Sequence, residues 1–532
     1  MKNKIFIFSL IAAVSFSSCS KDFLDLKPQQ SVFTDDMFTN LATTRAAVNG
    51  LYSLMQSYSY YGRDAMVIPE VLSDNATRSV KTGNRYTGMN TMTHTATDAN
   101  VSRMWSQIYR VVTNANNVIA NENKVKALIT ASEQPELAQL IGEAYAVRAL
   151  AYFDLAKFFS RPLKFSTDGS HLCVPLVLKP ITNVTEVVYP ARNTAAEVYA
   201  QIDADITEAL NRLPVSGAVL KNGVEAPTLF KVRLNKFSVL ALKARIAVFK
   251  EDWSTAITAA TEVINSGKYS LFGYSSMLQD FVTQNNVESI FEVANNTIDN
   301  PGTDSYAYLS SQLGYGEMLG TKQSMNPTTS SATTLSTFKG LYESYSASDI
   351  RRQFITLGNR NSLGGEINVP LCTKYINIVT YLENTKILRM SEMYLTRGEA
   401  LARLAVQNND ATALTNSLVD VNLIRKSRDT ASATRPYLAS FATTPPIGTI
   451  RATAYVDSII VERRKEFALE GQRLFDLNRT RTNYVKINSA GNGSSRLIQY
   501  TATTSSYYNR TILPIPISQV QNNPNMVQNP GF

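Results

Sequence analysis

The 532-residue chain carries 52 Lys and Arg against 43 Asp and Glu, a formal net charge of +9, and is 44% hydrophobic and 18% charged; that is a globular composition, large enough for one big domain or several ordinary ones. The basic excess is scattered through mixed-sign segments and never forms a run of five or six, which argues against a nucleic-acid partner. Two isolated histidines, His94 and His171, and three cysteines, Cys19, Cys173 and Cys372, none in a CxxC pair, leave no basis for a histidine triad, a zinc site or a redox motif.

Lys2 and Lys4 precede an apolar run from Ile5 to Phe16, followed by Ser17, Ser18 and Cys19. The run is too short to span a bilayer, and its basic, apolar and small-residue order is that of a secretory signal. Small residues ending at a cysteine look like a bacterial lipobox. Residues 1–18 are therefore expected to be a lipoprotein signal, Cys19 the lipidated residue and residues 19–34 a tether, with Lys21 and Asp22 resembling the charged tag of surface-exposed lipoproteins. Acyl chains contribute about 0.8 kcal/mol per buried methylene, enough in combination for a firm anchor.

A single domain is expected over residues 35–532. Asp35–Gln56 reads as a first helix, and Tyr58–Arg103, rich in Tyr, Asn, Thr and Gly without sustained periodicity, as a long ordered loop. Here Tyr58, Tyr60, Tyr61, Arg63, Asp64, Arg85 and Tyr86 crowd together. Rings that stack on apolar faces beside planar polar groups suit carbohydrate or peptide ligands, and equally suit the packing of a loop. Helical spacing then marks Val101–Asn121, Pro135–Phe159 and Thr194–Leu213. It marks further helices from Leu234 to Val248 and over Trp253–Ser266, a tightly joined hairpin of the tetratricopeptide kind. The pairing returns in Lys386–Ala405 and Ala411–Lys426. Between the repeats, Asn295–Tyr345 is a polar insertion carrying Tyr306, Tyr308 and Tyr315. The fold class is thus mainly α: helix pairs form a superhelical frame over about 101–293 and 386–480. Large irregular loops at about 58–100 and 295–345 are expected to carry function.

The stretch Ser458–Arg479, SIIVERRKEFALEGQRLFDLNR, sets Glu462, Arg463, Arg464, Lys465, Glu466, Glu470, Arg473, Asp476 and Arg479 among apolar residues at helical intervals. Two uses compete: an acid/base site, or a charge lattice locking a helix to its neighbours. A glycoside hydrolase would need two of Glu462, Glu466, Glu470 and Asp476 facing one cleft about 5–10 Å apart, but neighbouring arginines would keep both ionised and leave no acid. The lattice is preferred, with Glu462, Arg463, Glu466, Arg473 and Asp476 as its members.

Several segments resemble, in the expected order, the SusD/RagB family of outer-membrane nutrient-binding lipoproteins. They are GEAYAVRALAYFDLAKFF at Gly142–Phe159, LALKARIAVFKEDWSTAITAATEVINSGKYSL at Leu240–Leu271, ESIFEV at Glu288–Val293 and ILRMSEMYLTRGEALARL at Ile387–Leu404. VNLIRKSR at Val421–Arg428, ERRKEFALEGQRLFDLNR at Glu462–Arg479 and ILPIPISQVQNNPNMVQNPGF at Ile512–Phe532 complete the set. The resemblance implies a non-catalytic protein on the outside of the outer membrane, whose ligand site lies on inserted loops. It also implies a lid role on a SusC-like TonB-dependent transporter, to which an oligosaccharide, or alternatively a peptide, is handed. A scaffold that binds only proteins is a further alternative. Glycan-binding members often stack sugars on tryptophan, whereas Trp105 and Trp253 here fall inside helical motifs and are expected in the core, so stacking is assigned to tyrosines. Replacing Tyr60, Tyr61 and Tyr86 by Ala is then expected to weaken binding at near wild-type stability. No cofactor is expected; loop carboxylates such as Asp299 and Asp304 are possible calcium ligands without EF-hand spacing.

Overall fold

Helices begin where a side chain can take over the first free backbone N–H groups. In the computed structural model of the protein, described over residues 37–79, 83, 85–180, 188–325, 339–360, 366–434, 436–437, 450–488, 495–500 and 506–532, such caps are frequent. Numbering helices of eight residues or more, α1 is Leu41–Gln56, α2 Asp64–Leu72, α3 Ala99–Ala120, α4 Gln134–Phe159, α5 Ala195–Arg212, α6 Lys236–Lys250, α7 Trp253–Asn265, α8 Met390–Asn408, α9 Ala411–Arg428, α10 Ile450–Glu466 and α11 Arg473–Thr480. Asn40, Thr194 and Asn235 each open a helix with a capping box, an arrangement that satisfies two donors at once. Cys19 and the tether lie outside the described residues.

Two hairpins use one turn device. The chain leaves α6 through Glu251 in the left-handed region (φ 58°) and re-enters α7 with Asp252 accepting from Thr255 N. It leaves α8 through Asn409 (φ 56°) and re-enters α9 with Asp410 accepting from Thr412 and Ala413. A left-handed residue closes one helix and the aspartate caps the next, so each pair folds back with almost no loop. Neighbouring helices then pack in succession, α1 on α3, α3 on α4, α4 on α5, α6 on α7, α7 on α8 and α8 on α9, which is the tetratricopeptide-like frame. The 26-residue α4 lies at its centre, buried around most of its circumference, with Leu140, Val147, Phe153 and Phe159 fully enclosed.

Small sheets join the inserted segments. The strands of three or more residues are β1 Ala76–Arg78, β2 Ser289–Val293, β3 Met318–Gly320, β4 Ile355–Gly358, β5 Val369–Cys372, β6 Thr385–Arg389, β7 Tyr484–Ile487 and β8 Ser495–Ile498. The four-stranded sheet has the order β1-β3-β5-β4, and β1 pairs antiparallel with β3 in the register Ala76↔Gly320 to Arg78↔Met318. That pairing ties the 58–100 insertion to the 295–345 insertion. β2 pairs antiparallel with β6, Ser289 opposite Arg389 and Val293 opposite Thr385.

Three expectations change in detail. The helix expected from Lys386 starts at Met390, because Thr385–Arg389 is drawn into β6. The expected loop at 58–100 contains α2, whose nine residues are all buried. A helix enclosed on every side, with even its carboxylates Asp64 and Glu70 buried, has no solvent face and therefore no polar-to-apolar period to detect. Trp105 is core, 4% exposed, but Trp253 stands half-buried at the first position of α7, since only one face of that helix packs inward.

Candidate ligand-binding site

Ser458–Arg479 is two helices. α10 ends at Glu466, the chain turns through Leu469 and Gly471, both in the left-handed region, and α11 starts at Arg473. The turn swings the charges inward. Glu466, 1% exposed, receives Arg351 at 3.0 Å, Arg389 at 3.2 Å and Arg428 at 3.1 Å. Arg389 also reaches Glu288 at 2.6 Å and Glu470 at 2.8 Å. Glu462 sits 2.7 Å from Arg351 and 2.9 Å from Lys465, at angles that satisfy charge attraction better than hydrogen-bond direction. Asp476 accepts from Arg463 at 3.0 Å and Arg479 at 2.8 Å, and Arg473 donates to Asp74 at 2.7 Å. Burial alone would raise these carboxyls. Their arginines prevail, holding Glu462 and Asp476 at about 2 and Glu466 well below the usual range. Glu470 is likewise lowered by Arg389 and Lys374. A carboxyl so held has no proton to give at neutral pH.

The tyrosine-rich 58–100 segment turns mostly inward. Tyr60 and Tyr61 stack at 4.3 Å and both donate to Asp154 on α4. Tyr86 donates to Asp64, which is 0% exposed and 3.2 Å from Arg63. Tyr306 is buried and donates to Leu469 O at 2.7 Å. Assigning Tyr60, Tyr61, Asp64 and Tyr86 to ligand contact is therefore corrected: the three rings fill the core with their hydroxyls donated inside it, and Asp64 Oδ1 is taken by Arg63 and Tyr86. Tyr306 is equally enclosed and its hydroxyl is committed to Leu469 O, although it borders the small pocket described next. Arg63, also buried, reaches out only to Asp304 at 2.6 Å, which commits that loop carboxylate to an ion pair. Tyr58 stays half-buried beneath Arg63, 4.7 Å from its ring centre. Among the described residues no cluster of three His, Cys, Asp or Glu has the spacing to hold a metal.

The remaining aromatic candidates meet at the surface. Arg85, fixed by Glu317 at 2.5 Å, lies 4.2 Å over the ring of Tyr315. Tyr315 is 37% exposed and packs edge-on against Tyr308 at 4.8 Å. Tyr308 in turn lies 6.0 Å from Tyr381, a residue the sequence reasoning missed. Tyr381 borders a small pocket of about 20 Å³ that also involves Asn295, Asn377, Glu383 and Asn384, a volume that admits one water or one hydroxyl. Glu383 is 6% exposed, and burial, offset in part by Lys386 3.8 Å away, pushes its carboxyl up to about 7. Among the described residues Glu383 Oε1, Lys386 Nζ and Asn295 Oδ1 have no hydrogen-bond partner. Buried polar atoms are seldom left so; here Asn295 and Glu383 line one hydroxyl-sized space, and Lys386 stands 3.8 Å from Glu383. The signal available in the sequence was the run YINIVTYLEN at Tyr375–Asn384, whose Asn and Tyr density matches that of the insertions that were singled out.

Residues 372–532 match the family model described as the SusD family, and residues 22–247 match the model described as starch-binding and associating with the outer membrane. The chain belongs to the SusD/RagB family. SusD-like protein P38 of Formosa agariphila is 23% identical over 99% of both chains. Starch-binding protein SusD of Bacteroides thetaiotaomicron is 34% identical over 30% of this chain and 24% of its own. Among solved structures, a SusD superfamily protein from Bacteroides vulgatus is 26% identical with a TM-score of 0.73, covering 93% of this chain and all of that one. Another from Bacteroides thetaiotaomicron has a TM-score of 0.73 at 22% identity, over 92% of this chain and all of that one, and supports the SusD-like fold alone. Neither family model reaches residues 248–371, the stretch that holds Tyr308 and Tyr315. The family models thus flank Tyr308 and Tyr315, while Arg85 and Tyr381, at the two ends of the row, fall within the matched segments.

Proposed function

We propose that this SusD-like protein captures an extracellular oligosaccharide without cleaving it. The observation that carries this is the row Arg85, Tyr315, Tyr308 and Tyr381 ending at the Asn295–Glu383 pocket. Ring faces accept the apolar side of a pyranose, while amides and a carboxyl fix one of its hydroxyls. The match to a starch-binding family and the likeness to a starch-binding relative support a glycan over a peptide. Non-catalytic capture is supported by the buried, ion-paired state of Glu462, Glu466, Glu470 and Asp476. Anchored through Cys19 to the outer membrane and facing outward, the protein passes its ligand to a SusC-like TonB-dependent β-barrel. Ile298, Leu313 and Val379, 95%, 74% and 84% exposed on the loops that carry the row, suit burial against such a partner.

Calorimetric titration with neutral oligosaccharides tests the site. Alanine at Tyr308, Tyr315 and Tyr381 together is expected to weaken binding at least about tenfold with the fold intact. Unchanged affinity, or binding of peptides only, counts against the proposal. Affinity purification of the lipidated protein from solubilised outer membranes is expected to bring down a β-barrel; its absence counts against the delivery role.

A further inference from the structure

A second cleft, sharing no residue with the tyrosine row, lies where α6, α7, α8 and α11 come together. Its volume is about 420 Å³, within the range of small-molecule sites, and its wall carries Lys164, Arg403, Arg479 and Arg481 against the single carboxylate of Glu251. Arg479 is already neutralised by Glu399 at 2.6 Å and Asp476 at 2.8 Å. Arg403 shares Glu399 only at 3.4 Å, and its buried Nε has no hydrogen-bond partner among the described residues. Arg481, exposed and held in the left-handed region, donates to the carbonyl oxygens of Lys164 and Phe165. That bond gathers two surface cations at one rim without neutralising either. At the other side Trp253 presents a half-buried ring, 5.6 Å from the Arg403 guanidinium.

Planar guanidinium groups bind carboxylates and sulfates in a fixed geometry, and an indole face takes the apolar side of a sugar ring. We infer that this cleft is a second binding site, for a saccharide unit bearing a carboxylate or sulfate, with the ring on Trp253 and the anion between Arg403, Arg481 and Lys164. The inference extends the carbohydrate proposal, but because the residues are separate the two can fail separately.

The folded protein offers its own reporter. Trp105 is buried and Trp253 is the other of the two tryptophans, so a ligand in the cleft alters the emission of Trp253 alone. Titration with oligogalacturonate and with a sulfated galactan oligomer is expected to give a saturable change with at least one of them. Neutral maltoheptaose should give none, and the change should disappear in Trp253→Phe. Lys164→Gln with Arg481→Gln, two exposed positions outside the buried charge lattice, is expected to weaken acidic-oligomer binding about tenfold at an unchanged unfolding midpoint. Raising NaCl from about 50 to about 500 mM should weaken it further in the wild type. The triple alanine variant of Tyr308, Tyr315 and Tyr381 should keep it. No response to either acidic oligomer, equal response to maltoheptaose, or undiminished affinity in the double variant overturns the inference.

Discussion

Glu466 shows how a single carboxylate can hold several elements. Its two oxygens face guanidinium groups from the 350–354 turn, from β6 and from α9. Glu466→Ala would leave Arg351, Arg389 and Arg428 competing for fewer anions in a dry interior. The expected loss is about 3–5 kcal/mol in a denaturant titration; a variant of full stability that no longer binds ligand would return this residue to the functional site. The Tyr60–Tyr61 pair follows the same logic in the opposite direction. As ligand platforms they would tolerate Ala, but as enclosed rings bonded to Asp154 they are expected to cost about 3–5 kcal/mol each on truncation. Separate thermal scans of Tyr60→Ala and Tyr315→Ala distinguish the two classes, only the latter keeping its midpoint. Sequence reasoning could not separate these tyrosines, because an amphipathic ring has the same composition signature in a core and on a surface.

At the scale of elements, the turn between α10 and α11 depends on a glycine. Gly471 has φ +72°, and a Cβ there would lie 2.8 Å from Ala65 O on α2, while its N–H donates to Glu70 at 2.9 Å. Gly471→Ala therefore combines left-handed strain with a clash against backbone that cannot rotate away. It is expected to destabilise by about 1–3 kcal/mol in equilibrium unfolding; a neutral effect would show that α2 can move. The hairpins α6–α7 and α8–α9 were legible because their apolar positions repeat at helical spacing on either side of a short break. β6 was not, since Lys386–Arg389 continues an apolar pattern into α8 and becomes a strand only through its partner β2.

For the whole molecule, the buried charges set the response to pH. Asp74, Glu462 and Asp476 are each held at about 2, their arginine and lysine partners outweighing burial. Unfolded, such groups titrate near 4. Their stabilisation is present above about pH 4.5 and is lost as the pH falls through the folded values. Glu70 and Glu383 behave oppositely: burial raises each to about 7, so the native state keeps protons that the unfolded chain has lost, and stability declines between about pH 4.5 and 7. Lys486 is 0% exposed, and its ammonium meets Ala76 O at 3.0 Å, Asn90 Oδ1 at 3.2 Å and its neighbour's carbonyl. Burial brings it down to about 7 despite Asp74. The unfolded chain then binds the extra proton, and stability climbs from about pH 7 towards 10. Unfolding free energies measured across pH should show the steep acid limb, and Lys486→Met should remove the rise above neutrality; persistence of that rise would assign it elsewhere.

The amino-acid sequence by itself determined the mainly helical SusD-like frame and the expectation that Ser458–Arg479 forms a lattice, because helical period, caps and opposite charges at short spacing are local properties of a chain. It marked the two insertions without saying which of their tyrosines face outward. Tertiary structure decided that, by pairing β1 with β3 and by bringing Tyr381 from a third segment against Tyr308, with Glu383 beside Tyr381 in the small pocket. Exposure belongs to a residue's neighbours in space, and the neighbours that matter here are separated by dozens to hundreds of residues along the chain.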